Sequence, residues 1–262
     1  MAPAQHPRQE QAYYGDSYLT EVTATVIAAG GTADGEVGAA SEAAPGGTAD
    51  GEVGAASEAA PGGTADGGVA WIAVTPNIFH PKGGGQPSDE GTVDGAAVTP
   101  ARDDAGLVVL TGVPALEVGA AVVCSVDPGK RHLHAALHTA GHVLGALGEA
   151  RGWQHSGHSH FPGQARLDFD PEGHEGSLAT PELREAVRAE LQAAMDATLA
   201  RGGAVSASVD DAGHRTVTIE GVNAEPCGGT HVRSLADLAN VRILDVKVKR
   251  GAIKVRYEAE HA

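Results

Sequence analysis

The chain has 262 residues, 42% hydrophobic but only 3% aromatic, with a formal net charge of −16 at pH 7. That length suffices for two modest domains, whose cores must be built from Ala, Val and Leu. So acidic a chain repels phosphate at long range, which excludes non-specific coating of nucleic acid and allows only a local basic face. No run approaches eighteen apolar residues, and "MAPAQHPRQEQAYY" lacks the apolar core of a signal peptide, so no membrane association is expected. Two cysteines, Cys124 and Cys227, cannot make a disulfide framework. A cytoplasmic protein is the expectation.

The stretches "YLTEVTATVIAA" (18–29) and "VAWIAVT" (69–75) are β-branched and partly alternating, and predict two strands. Between them "GGTADGEVGAASEAAP" fills 30–45, recurs unchanged at 46–61 and begins again at 62. Repeats at fixed spacing can signal a solenoid, but these units have almost no large apolar side chain to stack. The segment 30–68 is therefore predicted to be a low-complexity loop without packed structure, an insertion that costs little closure entropy. Further short strands are predicted at "GTVDGAAVTPAR" (91–102), "GLVVLTGV" (106–113) and "AAVVCSVD" (120–127), spaced for a small β-barrel or sandwich. "DPGK" (127–130) marks a boundary, giving domains over 1–128 and 129–262. Beyond it a helix is predicted from about 130 to 150 and a strand at "ARLDFD" (165–170). A second helix has Thr180 as N-cap, Pro181 in its first turn and Gly202 as its stop. "TVTIEGV" (216–222) and "VRILDVKVKRGAIKVRYEA" (241–259) add strands, the latter a pair turning at "KRG". The predicted class is α+β: an N-terminal β-barrel, then an α+β domain with an antiparallel sheet and two main helices.

Chemistry concentrates in two places. In "LHTAGHVLGAL" (137–147), His138 and His142 share one helical face and can reach a single ion. In "PCGGTHV" (226–232), Cys227 and His231 are again four apart, across a Gly-Gly that allows a tight turn. Either pair alone is commonplace; together they form a His3Cys set suited to Zn2+. His134 makes "HAALH" a rival pair, and His132, His155, His158 and His160 could form an adventitious metal patch. Cys124, in an apolar strand, reads as a small buried hydrophobe. "GGGQP" (83–87) lacks the ending of a phosphate loop and reads as a tight turn between strands. Arg166 and Asp168 read as a structural salt bridge. Lys82, Lys130, Arg131, Lys247 and Arg250 are the local cations that could meet phosphate.

"HTAGHVL" followed by "CGGTHV" resembles the zinc-binding signature of the editing domain of alanyl-tRNA synthetases and of the free-standing AlaX-type alanyl-tRNA editing proteins. "YYGDSYLTEVTATV" and "FHPKGGGQPSDEGTV" resemble the opening of the longer AlaX proteins, in which a glycine-rich motif marks an extra β-barrel domain. "ARLDFD" resembles the strand between the two half-motifs. The threonyl-tRNA synthetase editing domain shares both half-motifs but not "GGGQPSDEG". The resemblance covers nearly the whole chain outside the repeat. It implies one Zn2+ per chain on His138, His142, Cys227 and His231. It also implies hydrolysis of tRNA(Ala) mischarged with serine or glycine, without ATP and without aminoacylation. It further implies Thr139 as a contact for the serine hydroxyl, beside Thr230 near another ligand. Gln154 is the expected second substrate contact, with Ser156 and His158 as further candidates; the resemblance implies a tRNA contact at Gly83, Gly84, Gly85 and Gln86, to which charge adds Lys82, Lys130 and Arg131 as expected tRNA contacts. The rival expectation is a zinc-stapled tRNA-binding module without chemistry of its own; a small-ester hydrolase is a third.

Overall fold

The computed structural model describes residues 8–32, 69–104, 106–114, 116–170 and 178–262. Of the loop predicted over 30–68, residues 33–68 lie outside the described residues, and Gly30, Gly31 and Thr32 instead continue the first strand, paired with Trp71, Ala70 and Val69. The chain forms two compact units, Met1–Lys82 with Ser88–Arg131 and Gly83–Pro87 with His132–Ala262. The glycine-rich run, predicted within the first domain, thus belongs to the second unit. The reason is its hydrogen bonding, described below.

In the first unit, β1 (Glu21–Thr32) pairs with β2 (Val69–Thr75) on one side and β6 (Ala121–Val126) on the other. β3 (Gly91–Val93), β4 (Ala96–Arg102) and β5 (Val108–Thr111) complete a closed antiparallel barrel in the order β1-β2-β5-β4-β3-β6. Closure leaves no strand edge unpaired. Alternation sets the inside: Val122, Cys124 and Val126 of β6 are buried, whereas Ala121 and Val123 are exposed. Val26, Ile72, Val74, Phe79 and Leu110 fill the core with them. The single strand predicted at 91–102 is instead a β3–β4 hairpin. Asp94 and Gly95 take φ of 48° and 82°, the two left-handed positions a two-residue turn requires.

The second unit is built on α1 (Pro128–Ala150) from His132 onward, and from His134 to Gly141 that helix is buried on every face. A helix with no solvent face must have partners all round. Leu137, Ala140, Val143 and Leu144 pack with Leu167, Phe169, Val255 and Tyr257. These four come from the sheet β12-β13-β8-β7, formed by β7 (Gln154–Ser159), β8 (Arg166–Asp170), β12 (Leu238–Lys249) and β13 (Ala252–His261). Burial of each large apolar side chain contributes roughly 1.5–3 kcal/mol. Ala135 and Ala136 pack instead with Val232. α2 (Pro181–Arg201) is capped by the Thr180 side chain accepting from the Leu183 N–H, and ends at Gly202 with φ 69°. It buries Val187, Leu191, Met195 and Thr198, one face at helical spacing. A second sheet, β11-β10-β9, contains β9 (Val205–Val209), β10 (Arg215–Ile219) and β11 (Asn223–Pro226). The turn predicted at "KRG" joins β12 to β13, with Lys249 opposite Ala252 and positive φ at Arg250 and Gly251. The fold class is α+β, as predicted. Among the described residues no helix is long and apolar enough to cross a membrane.

Candidate metal centre

Two elements deliver the ligands. α1 carries His138 and His142 one turn apart, and the loop after β11 carries Cys227 and His231. One ligand atom from each of the four lies within 4.8 Å of every other. Cys227 Sγ is 3.5 Å from His138 Nε2 and 3.3 Å from His231 Nε2. A tetrahedral Zn2+, with bonds of about 2.0–2.3 Å, separates its ligand atoms by roughly 3.3–3.6 Å. The donor set, and the spacing of Cys227 from His138 and His231, therefore fit zinc.

Three of the four side chains, His138, His231 and Cys227, have a hydrogen-bonding neighbour that orients them. Gln86 Oε1 lies 2.8 Å from His138 Nδ1, and Thr139 Oγ1 lies 3.1 Å from His231 Nδ1. In both rings the nitrogen so engaged is the one turned away from Cys227. Glu225 Oε2 approaches His142 Nδ1 at 3.4 Å. The Gly229 N–H donates to Cys227 Sγ at 3.3 Å, an interaction that favours the thiolate. Burial lowers the His142 pKa to about 4, helped by the charges of His158, His155 and Arg215, so the imidazole is neutral at pH 7, the form that binds a metal.

The loop itself is held by Arg215 of β10, which is buried and donates to the carbonyls of Cys227 and Gly229 at 2.8 Å each. Glycine at 229 is a steric requirement, because a Cβ there would sit 2.1 Å from the His138 ring. His160 stacks on His138, with ring centroids 4.3 Å apart. Tyr257 Oη donates its one proton to the Leu137 carbonyl at 3.0 Å, so it must accept from His160 Nδ1 at 2.6 Å. Burial keeps His160 well below the usual histidine pKa and pushes Tyr257 up, so both are neutral.

The residues expected at the site do not all meet there. Thr139 is fully buried, held by His231 and by the Val232 N–H at 3.2 Å. Gln154 is exposed at the start of β7, opposite Asp170, and the neighbouring residue that reaches a ligand is His160. Gln86 is fully buried, and Thr230 Oγ1 accepts from its amide nitrogen at 2.9 Å. Arg131 must be corrected as a phosphate contact. It is 0% exposed, and its guanidinium binds both carboxylate oxygens of Asp89 and the carbonyls of Ser17 and Ile78. Lys82 is exposed, and exposed Lys130 pairs with Glu90. Arg166 and Asp168 form the expected ion pair at 3.1 Å. Arg215, His160, Tyr257 and Glu225 carry no pattern that singles them out in the sequence. His160 is further masked by its histidine-rich surroundings.

Comparison with known proteins points in one direction. Residues 214–257 match the family described as the threonyl and alanyl tRNA synthetase second additional domain. The alanyl-tRNA editing protein AlaX-M of Pyrococcus horikoshii is 30% identical over 191 residues, covering 70% of this chain and 81% of that protein. AlaX-M of Methanosarcina mazei is 28% identical over 212 residues, covering 66% of this chain and 80% of that protein. The alanine–tRNA ligase of Cenarchaeum symbiosum is 31% identical over 207 residues, and there the chain spans only 22% of the ligase.

Proposed function

Because the chain belongs to the AlaX family of alanyl-tRNA editing proteins, we propose that it is a zinc-dependent deacylase that removes serine or glycine from mischarged tRNA(Ala). The observation that carries this reading is the convergence of His138, His142, Cys227 and His231 within 4.8 Å. The substrate is an ester of the terminal ribose, and its cleavage is a hydrolysis that needs no nucleotide. Zinc, held by His138, His142, Cys227 and His231, would supply Lewis acidity towards the ester carbonyl.

The protein's own groups do the rest. Gln86 and Thr139 hold the rings of His138 and His231 with their Nε2 atoms towards Cys227. Thr139, whose Oγ1 accepts from Val232 N–H and faces His231 Nδ1, is assigned as the contact for a serine hydroxyl. Such a contact would find no partner in alanine, which discriminates in the required direction. Gln154, exposed at the head of β7, is the second substrate contact. Lys82, Lys130, Lys247 and Arg250 meet the tRNA phosphates, too few for the affinity to be steeply salt-dependent. Both cysteines are free thiols, which suits a reducing cytoplasm.

One observation favours a second reading. Four protein ligands complete a tetrahedron, the pattern of structural zinc, and would suit a stapled tRNA-binding module. Purified protein incubated with Ser-tRNA(Ala) and Ala-tRNA(Ala) separates the two. The deacylase is expected to release serine far faster than alanine. A seryl ester that decays only at the rate seen in buffer would leave the binding module standing.

A further inference from the structure

We propose that Gln86 is a positioning residue of the metal centre, fixing the tautomer and orientation of the ligand His138. This rests on reading the four-residue cluster as a zinc site. It also gives the glycine-rich run a task other than touching tRNA.

The hydrogen bonds leave one assignment. The Thr230 backbone N–H points at Gln86 Oε1 at 3.0 Å, and a backbone N–H can only donate. That carboxamide atom is therefore the oxygen, and the amide nitrogen is the atom 2.9 Å from Thr230 Oγ1. The same oxygen lies 2.8 Å from His138 Nδ1. Nδ1 must then carry the ring proton, which leaves the lone pair on Nε2, 3.5 Å from Cys227 Sγ. Metal-ligating histidines commonly donate the second ring N–H to a carboxylate or carbonyl oxygen, and the Gln86 carboxamide oxygen offers an acceptor of that kind.

The run 83–87 is shaped to deliver that one group. Gly83 and Gln86 exchange N–H to carbonyl bonds of 3.2 and 2.9 Å, closing a turn. Gly84 and Gly85 take φ of 54° and 70° at its tip. The Gly85 carbonyl accepts from the His160 N–H at 2.8 Å, and a Cβ on Gly85 would meet the His158 ring at 2.3 Å. Gln86 itself is 0% exposed. With its oxygen accepting two bonds and its nitrogen donating one, it is committed to His138 and Thr230.

The test uses the full chain and compares wild type with Gln86→Met, Gln86→Asn and Gln86→Glu. Zinc affinity is read by competition with a chromophoric chelator, and ligand geometry by the visible spectrum of the Co2+-loaded protein. Metal-free unfolding curves confirm that each variant is folded. Gln86→Met removes the acceptor, and Gln86→Asn withdraws it by one methylene. Both are expected to weaken zinc about 10- to 100-fold, the usual effect of losing such a partner, and to alter the Co2+ bands. Gln86→Glu still accepts from His138 and Thr230, with the Thr230 hydroxyl donating in return, and should stay within a few-fold of wild type. Wild-type zinc affinity in Gln86→Met would overturn the proposal, as would equal losses in Gln86→Met and Gln86→Glu. So would a raised KM for Ser-tRNA(Ala) with unchanged zinc affinity, which would return Gln86 to tRNA recognition. If Cys227→Ala with His231→Ala still bound one zinc, the fault would lie in the metal assignment rather than in the role of Gln86.

Discussion

Arg131 in the barrel unit and His138 in the other are both buried polar side chains, but their surroundings are built oppositely. Arg131 spends its guanidinium on Asp89, which is itself buried, and on two carbonyls, so the network closes on itself. His138 and His231 each engage one ring nitrogen with a neighbour and turn the other towards Cys227. A closed network holds a scaffold together. One that satisfies its outer rim and converges its inner donor atoms is the arrangement that could hold a metal ion.

The comparison breaks most sharply at the ligands themselves. Cys227→Ala with His231→Ala is expected to take zinc from about one ion per chain to none in metal analysis. His134→Ala should retain it, because the rival pair "HAALH" is not part of the cluster. Next in size is the closed network. Arg131→Met or Asp89→Leu strands a buried charge and should cost roughly 3–5 kcal/mol in urea unfolding. The double variant should recover most of that loss, so additive losses would show that the two residues do not act as a pair.

The thiols sharpen the same contrast. Cys124 is buried in the barrel, and desolvation raises its pKa to about 11, with Asp94 adding to it, so it is a poor nucleophile. A thiol reagent should modify Cys227 alone in metal-free native protein, neither cysteine with zinc bound, and both after unfolding. Fast labelling of Cys124 in the native state would contradict the barrel packing.

Smaller effects are expected at the surface. Lys82→Glu and Lys130→Glu should raise the KM for Ser-tRNA(Ala) while leaving zinc content and the unfolding midpoint alone. The salt dependence of deacylation should correspond to roughly two to four phosphates. Charge reversals without effect on KM would place the tRNA elsewhere. The smallest effect concerns the repeat. Because Gly30–Thr32 belong to β1, the deletion that removes two whole repeats cleanly is 34–65. It should leave stability and deacylation unchanged, and a midpoint lowered by many degrees would show that the segment packs.

How far all this was legible in the sequence depends on the range of the interaction. Local chemistry wrote itself plainly: Thr180, Pro181 and Gly202 bracket α2, and "KRG" turns the last hairpin. The "DG" at 94–95 was equally plain but lay within a stretch whose flanks look like one strand, so its turn was missed. β7 was not foreseen, because Gln-His-Ser-Gly-His-Ser has neither β-branched residues nor apolar alternation, and it forms only by pairing with β8. The two metal half-motifs were legible because a four-residue spacing carries their geometry within each half. Their orienting partners were not, since Gln86 is 52 positions from His138 and Thr139 is 92 from His231. Lys130 and Arg131 are adjacent cations that no pattern distinguishes. One is exposed beside Glu90 and the other is sealed against Asp89.

The central claim is that ester hydrolysis follows the metal held by these four side chains. The most direct measurement strips the protein with chelator, then follows Ser-tRNA(Ala) deacylation as zinc is returned in steps. The account predicts loss of activity on stripping and a rate that rises with added zinc to a break at about one ion per chain. A rate indifferent to chelation, or a loaded protein that leaves the seryl ester intact, would contradict it.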